Sequence, residues 1–160
     1  MSAVIAAVVS PVRPAINRDA PAVKALVFSV LREYGLTPDP RNTDSDLDDL
    51  DAHYFARGGW FGVLVMDSSI VACAGIHRVD GTTCELRNMH CLPAYRGRGF
   101  GRQLLDHALA QARALKFKRV VLETASPLAE AIALYRHYGF TPYEPEEMSV
   151  RCDQAYEVFL

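Results

Sequence analysis

The sequence predicts a mixed α/β fold with a mostly antiparallel central sheet flanked by about four helices. Three observations carry that prediction. The β-rich runs "WFGVLVM", "IVACAGIHRV" and "TTCELRNMHCL" follow one another with only short turns between them, the pattern of an antiparallel meander. Helical signals flank them, two segments before the meander and two after it, with a further strand between the last two. The 160 residues show no linker, repeat or low-complexity stretch, so they fit one domain able to bury roughly 68–70% of its unfolded surface. Residues 12–160 are read as that domain, with residues 1–11 an N-terminal extension or first strand.

The elements follow in order. "MSAVIAAVVS" is apolar, but it lacks a basic leader and is too short to span a bilayer, which argues against a signal peptide or anchor. From Pro21 to Tyr34, Val23, Leu26, Val27, Val30 and Leu31 recur at helical spacing and Gly35 follows as a C-terminal cap. "TDSDLDDLDAHYFARGG" starts with Thr43 three residues before Asp46, which resembles a capping box and predicts a second, shorter helix with an acidic face. After the meander a helix is predicted from Gly99 to Lys116, with Leu104, Leu105, Ala108, Leu109, Ala112 and Leu115 on one face. "RVVLETA" reads as a buried strand. The next helix is placed at Ser126-Pro127, with proline in the tolerated first position, and "AYEVFL" reads as a last strand.

Composition bounds the function. Half the residues are hydrophobic, 22% are charged and the net charge is −2, which describes an ordinary globular chain, expected in the cytoplasm. Neither nucleic acid nor a membrane is an expected partner. Cys73, Cys84, Cys91 and Cys152 form no CxxC pair and no zinc-like spacing with histidine, so free thiols and no metal are expected.

The richest stretch is "LPAYRGRGFGRQLL". A strand that passes through glycines into a helix suits a phosphate, because a helix start leaves backbone N–H groups unpaired and adds partial positive charge. Gly97, Gly99 and Gly101 allow close backbone approach, and Arg96, Arg98 and Arg102 add charge of the right shape. No Lys-Ser/Thr follows, and the glycine spacing is not G-x-G-x-x-G. Nucleotide hydrolysis and hydride transfer both lose ground.

"RGRGFG" resembles the Arg/Gln-x-x-Gly-x-Gly/Ala signature of the GNAT superfamily of acyl-CoA-dependent N-acyltransferases, at Arg96, Gly99 and Gly101. "AIALYRHYGF" is similar to the same family's Ala-x-x-Leu-Tyr-x-x-x-Gly-Phe pattern, at Ala131, Leu134, Tyr135, Gly139 and Phe140. The two occur in the family's order, and the likeness runs from about Val12 to the C-terminus. It implies a GNAT-like fold with a cleft at a splayed strand, binding acetyl-CoA. The turn from Arg96 through Gly97, Arg98, Gly99, Phe100 and Gly101 to Arg102 would hold the pyrophosphate. Met89, His90 and Cys91 would lie along the pantetheine, acting mainly through their backbone. Leu128 stands where many members carry a cofactor-contacting asparagine.

Transfer to an amine needs a neutral nucleophile, whereas a primary amine with a pKa of ~10 is mostly protonated at neutral pH. Glu85, eleven residues before Arg96, stands where the resemblance puts a general base. A strand glutamate paired with Arg87 is the alternative. Tyr135 stands where the family has a general acid for the departing thiolate, and it also shares a helical face with Leu128, Ala131, Ile132 and Tyr138, which suits a core residue. His77 is a further candidate on the neighbouring strand. Tyr54, Phe55 and Trp60 line an acceptor pocket or fill the core, and Asp44, Asp46, Asp48, Asp49 and Asp51 attract a cationic amine or form a solvated face. The expected acceptor is a small-molecule or peptide amine, and a homodimer is an open alternative. Two rival readings are a non-catalytic acyl-CoA-binding module and an RNA-binding domain that uses the Arg/Gly turn.

Overall fold

Alternation along the meander sorts its side chains onto two faces, and the fold follows from covering both. The computed structural model describes residues 11–160. Its seven strands are β1 (Val12–Pro14), β2 (Trp60–Met66), β3 (Ser69–Arg78), β4 (Thr83–Cys91), β5 (Arg119–Thr124), β6 (Thr141–Pro142) and β7 (Gln154–Phe159). They form one sheet in the order β1-β2-β3-β4-β5-β7-β6, antiparallel except for β4 beside β5. The helices are α1 (Ala20–Glu33), α2 (Leu50–His53), α3 (Phe100–Ala114) and α4 (Ala129–His137).

Trp60, Leu64, Ala74, Ile76, Cys84 and Leu86 point to one face and pack against Leu104, Leu105 and Ala108 of α3. Phe61, Val63 and Cys73 point the other way, against Val23, Val27 and Val30 of α1 and against Leu47, Leu50 and Tyr54. The result is a three-layer sandwich of helices, sheet and helices.

Two irregularities of β4 create the site. Its parallel ladder with β5 holds only Thr83↔Arg119, Cys84↔Val120 and Glu85↔Val121, while β4 itself runs on to Cys91. On the other side, the register with β3 jumps from Gly75↔Arg87 to Cys73↔His90, so Asn88 and Met89 bulge opposite Ala74. Asn88 adopts φ +56°, a left-handed conformation that asparagine tolerates better than most residues.

The element order matches the sequence reading, with two shifts of boundary. The second helix is broken into a 3₁₀ turn at Ser45–Asp48, the single turn α2 and another 3₁₀ turn at Phe55–Arg57. Its capping box does not form. Asp39 takes the Thr43 amide at 3.2 Å, Asp46 turns inward, and an extended Asp49 caps α2 by accepting from Ala52 N at 2.9 Å. The last helix begins at Ala129 and not at Ser126-Pro127, because the Ser126 amide is held at 2.8 Å by Asp153 and Leu128 closes a turn back to Ala125. The expected first strand or extension falls almost wholly on residues 1–10, outside the described residues. No helix among the described residues is long and apolar enough to cross a membrane.

Candidate active site

The glycine–arginine turn forms an open cradle. Gly97 and Gly99 adopt φ +76° and +81°, flanking Arg98, and α3 begins at Phe100 with no side chain capping its first amides. A Cβ at either glycine would meet nothing within 4 Å. Left-handed backbone therefore explains the glycines, and free amides beside open space explain what the turn can do, which is to surround an anion. Arg98 and Arg102 are exposed beside it, Arg98 over the Tyr95 ring at 5.3 Å. Arg96 departs from the expectation. Its guanidinium grips Glu33 of α1 at 2.6 and 2.8 Å, donates to Cys91 O at 2.9 Å and lies over Tyr34 at 5.3 Å, so it fastens α1 to the turn.

A cavity of about 170 Å³ runs from the cradle along the free end of β4. Met89, His90 and Cys91 line it from the strand, and Arg96, Gly97, Gly99, Phe100 and Gly101 from the turn. Leu128, Ala131 and Leu134 close it on the α4 side. Gly101 is the tight point, since a Cβ there would stand 3.4 Å from Leu134 Cδ2. A mostly apolar slot that ends in an anion cradle fits a long acyl carrier with a phosphate head. Tyr135 is absent from its lining. The ring is buried at 5.8 Å from Phe140, and burial raises the phenol well above its usual value.

Glu85 occupies the last rung before β4 and β5 part, on the face toward α1. The Arg87 pairing is present, with Arg87 Nε 3.2 Å from Glu85 Oε1. Burial nevertheless pushes the carboxyl above its usual range, against the Arg87 charge and with help from Glu123 and Asp46. Glu123 comes from the same face of β5 and accepts the Ser149 amide at 2.7 Å. His77 is opposite Glu85 on β3, edge-on to Tyr54 at 5.8 Å, and burial, aided by Arg87, lowers it to about 4. His90 is lowered to about 4 as well, again by burial first and then by Arg151. Both imidazoles are neutral at neutral pH.

The aspartate run divides by position. Asp44 is buried and forms a two-pronged ion pair with Arg151 at 2.6 and 2.7 Å, and Arg151 also reaches Thr37 O at 3.2 Å. Asp46 is buried beneath it, accepting from the Tyr54 hydroxyl and, at 3.2 Å, from Asn88 Nδ2, with its Oδ1 unpartnered. These two are neither a solvated face nor open to a substrate. Asp48 pairs with Lys24 at 2.5 Å, Asp49 caps α2, and Asp51 is exposed.

Tyr54 is fully buried with its hydroxyl committed to Asp46 and Asn88, and Trp60 is buried on the opposite, α3 face. Neither lines an acceptor pocket; both are core. Glu123, Asn88 and Arg151 escaped the sequence reading. The one available signal was a carboxylate directly after the apolar core "VVL" of the run "RVVLETA". Among the described residues no cluster of three or more His, Cys, Asp or Glu is arranged for a metal, and all four cysteines are free.

The pattern of the acetyltransferase (GNAT) family matches residues 27–140, the span from α1 through the end of α4. The uncharacterized N-acetyltransferase YjgM of Escherichia coli K12 is 40% identical over 141 residues, 82% of this chain and 84% of that one. The crystal structure of a GNAT-family acetyltransferase from Staphylococcus aureus Mu50 matches with a TM-score of 0.86 at 20% identity, over 92% of this chain and 97% of that one. A GNAT superfamily phosphinothricin acetyltransferase of Sinorhizobium meliloti, solved in complex with acetyl-CoA, matches at 0.73 and 16% identity, over 93% and 87%. The two structures share the fold, the family pattern spans the segment that builds the cradle, and the bacterial relative is similar over most of both chains: the chain belongs to the GNAT family of acetyltransferases.

Proposed function

We propose that residues 12–160 form one acetyltransferase domain that moves an acetyl group from acetyl-CoA directly to an amine in a ternary complex. The observation that carries this is the fork of β4 and β5, with a phosphate-like cradle at one end and a buried, basic carboxylate at its origin. The free amides from Gly97 to Arg102 would hold the pyrophosphate, and the main chain of Met89 and Cys91 the pantetheine. Bound acetyl-CoA supplies an activated thioester. Arg96 contributes by holding the turn to α1, and Leu128 lines the slot with an apolar surface where a hydrogen-bonding side chain would offer a polar contact.

Glu85 is the base. A carboxyl raised by burial is a better proton acceptor than an ordinary one, and its ammonium partner gives up a proton as the nitrogen lone pair becomes available. His77 is neutral and adjacent, so it assists orientation and not charge. Tyr135 is assigned as the acid from its place in the family motif, its hydroxyl kept protonated by burial and its ring set behind Ala131 and Leu134, which line the slot. The acceptor is read as a small-molecule or peptide amine, since the carboxylates of Glu85 and Glu123 favour a cation over an anion. No metal, nucleic acid or membrane is required, and the cytoplasm is the expected compartment.

Coenzyme A release measured against a panel of amines tests the proposal. Turnover with any amine supports it. Tight acetyl-CoA binding without turnover across the panel would instead make the chain a binding module.

A further inference from the structure

The mechanism above gives Glu123 no part in proton transfer, although both carboxylates face the same side of the sheet where β4 and β5 diverge. Glu85 pairs in register with Val121, which puts Glu123 one same-face position further along β5, a diagonal neighbour of Glu85 that two long side chains can span. The Ser149 amide, 2.7 Å from Glu123 Oε1, requires an acceptor, so that oxygen cannot carry a proton shared by the pair. The charged and titratable groups around them are known from every neighbouring element. Arg87 on β4, His77 on β3, Asp46 before α2, Tyr143 after β6 and Cys152 before β7 face the pair, and the Arg119–Glu157 ion pair of β5 and β7 lies on the same face of the sheet. Arg87 is divided among Glu85, Asp46 and the Thr43 carbonyl, so it does not neutralise both carboxylates.

Taking Glu85 as the base, we infer that Glu85 and Glu123 act as one proton-sharing carboxyl pair, in which Glu123 is the positioning residue that makes Glu85 the proton-accepting member. Two like charges at close range cannot both ionise cheaply, so the second proton stays until higher pH than either group alone would hold it. By donating to Glu123, the Ser149 amide favours that carboxyl's ionised form and so biases the proton toward Glu85. When the acceptor ammonium enters, its N–H bond breaks, an O–H bond forms on Glu85, and the electron pair remains on nitrogen for attack. A positive charge beside the pair favours its fully ionised form, so the arriving ammonium first drives the proton the pair holds out to solvent, and only the ionised Glu85 then accepts the N–H proton.

Carbon-13 NMR titration of labelled glutamate carboxyls in the intact, substrate-free protein tests the pair without relying on activity. The expected wild-type result is two linked steps, one above the ordinary glutamate range. In Glu123→Gln the Glu85 step should move to lower pH, and Glu123→Asp should restore it. The acid limb of kcat/KM should move in the same direction, with KM for acetyl-CoA unchanged. A Glu85 titration identical in wild type and Glu123→Gln would overturn the inference. Unaltered turnover in Glu85→Gln would instead remove the base assignment, an outcome separable from the carboxyl titration.

Discussion

At the scale of single residues, the cradle depends on backbone shape more than on side-chain charge. Gly99 supplies a left-handed turn that a β-branched residue adopts only under strain. Gly99→Val should weaken acetyl-CoA binding about tenfold or more, given ~1–3 kcal/mol of strain at such a position. Titration calorimetry reads this directly, and wild-type affinity would sink the phosphate assignment. Tyr135→Phe separates chemistry from packing. It should lower turnover while leaving acetyl-CoA affinity and melting temperature close to wild type, whereas unchanged turnover would return Tyr135 to the core alone. These residues were legible because their signals are local, a glycine spacing and a helical period. Glu123 and Arg151 were not, since their partners lie 38 and 107 residues away and no local pattern encodes strand pairing or loop closure.

At the scale of elements, the decisive one is the bulge in β4. Asn88 gives its amide both to Asp46 at 3.2 Å and to Tyr54 Oη at 3.1 Å, so the broken helical segment after α1 holds the bulge from outside the sheet. Removing one partner leaves buried polar groups unsatisfied, at a cost of about 1–3 kcal/mol. Tyr54→Phe should therefore lower stability by that amount and raise KM for acetyl-CoA more than it lowers kcat. Thermal unfolding and steady-state kinetics check the two halves, and a stable variant with an unmoved KM would break the link between Tyr54 and the slot. The sequence announced a helix here because aspartates near a start resemble caps. Only Asp49 caps; Asp44 and Asp46 are drawn into the protein by Arg151, Tyr54 and Asn88, a tertiary demand that overrides local preference.

At the scale of the whole molecule, pH acts through groups with opposite signs. Arg13 bonds to Asp19 and holds its carboxyl below the ordinary 3.8, so the fold gains stability above that value and loses it as pH falls through the lower folded value. Glu85 behaves oppositely. Burial raises it above the ordinary 4.5, so its contribution is greatest below 4.5 and is lost as pH rises through the raised value. Glu85→Gln removes that loss. The variant should be catalytically poor but more heat-stable than wild type, by a margin that widens from pH 4 to pH 8 in calorimetry. A margin independent of pH would show that ionised Glu85 is not under strain. The overall architecture was readable from order and spacing, and the N-terminal arm beginning at Val12 pairs with β2 as one more rung of the same sheet.

The Arg151–Asp44 bridge also bears on how such an enzyme can be redesigned. It joins the segment between β6 and β7 to the segment between α1 and α2, with Asp44 only 2% exposed. Grafting either segment alone from a relative strands a buried charge, which costs about 3–5 kcal/mol. The two pieces of chain therefore travel as one cassette, 107 residues apart in sequence and joined by one buried ion pair.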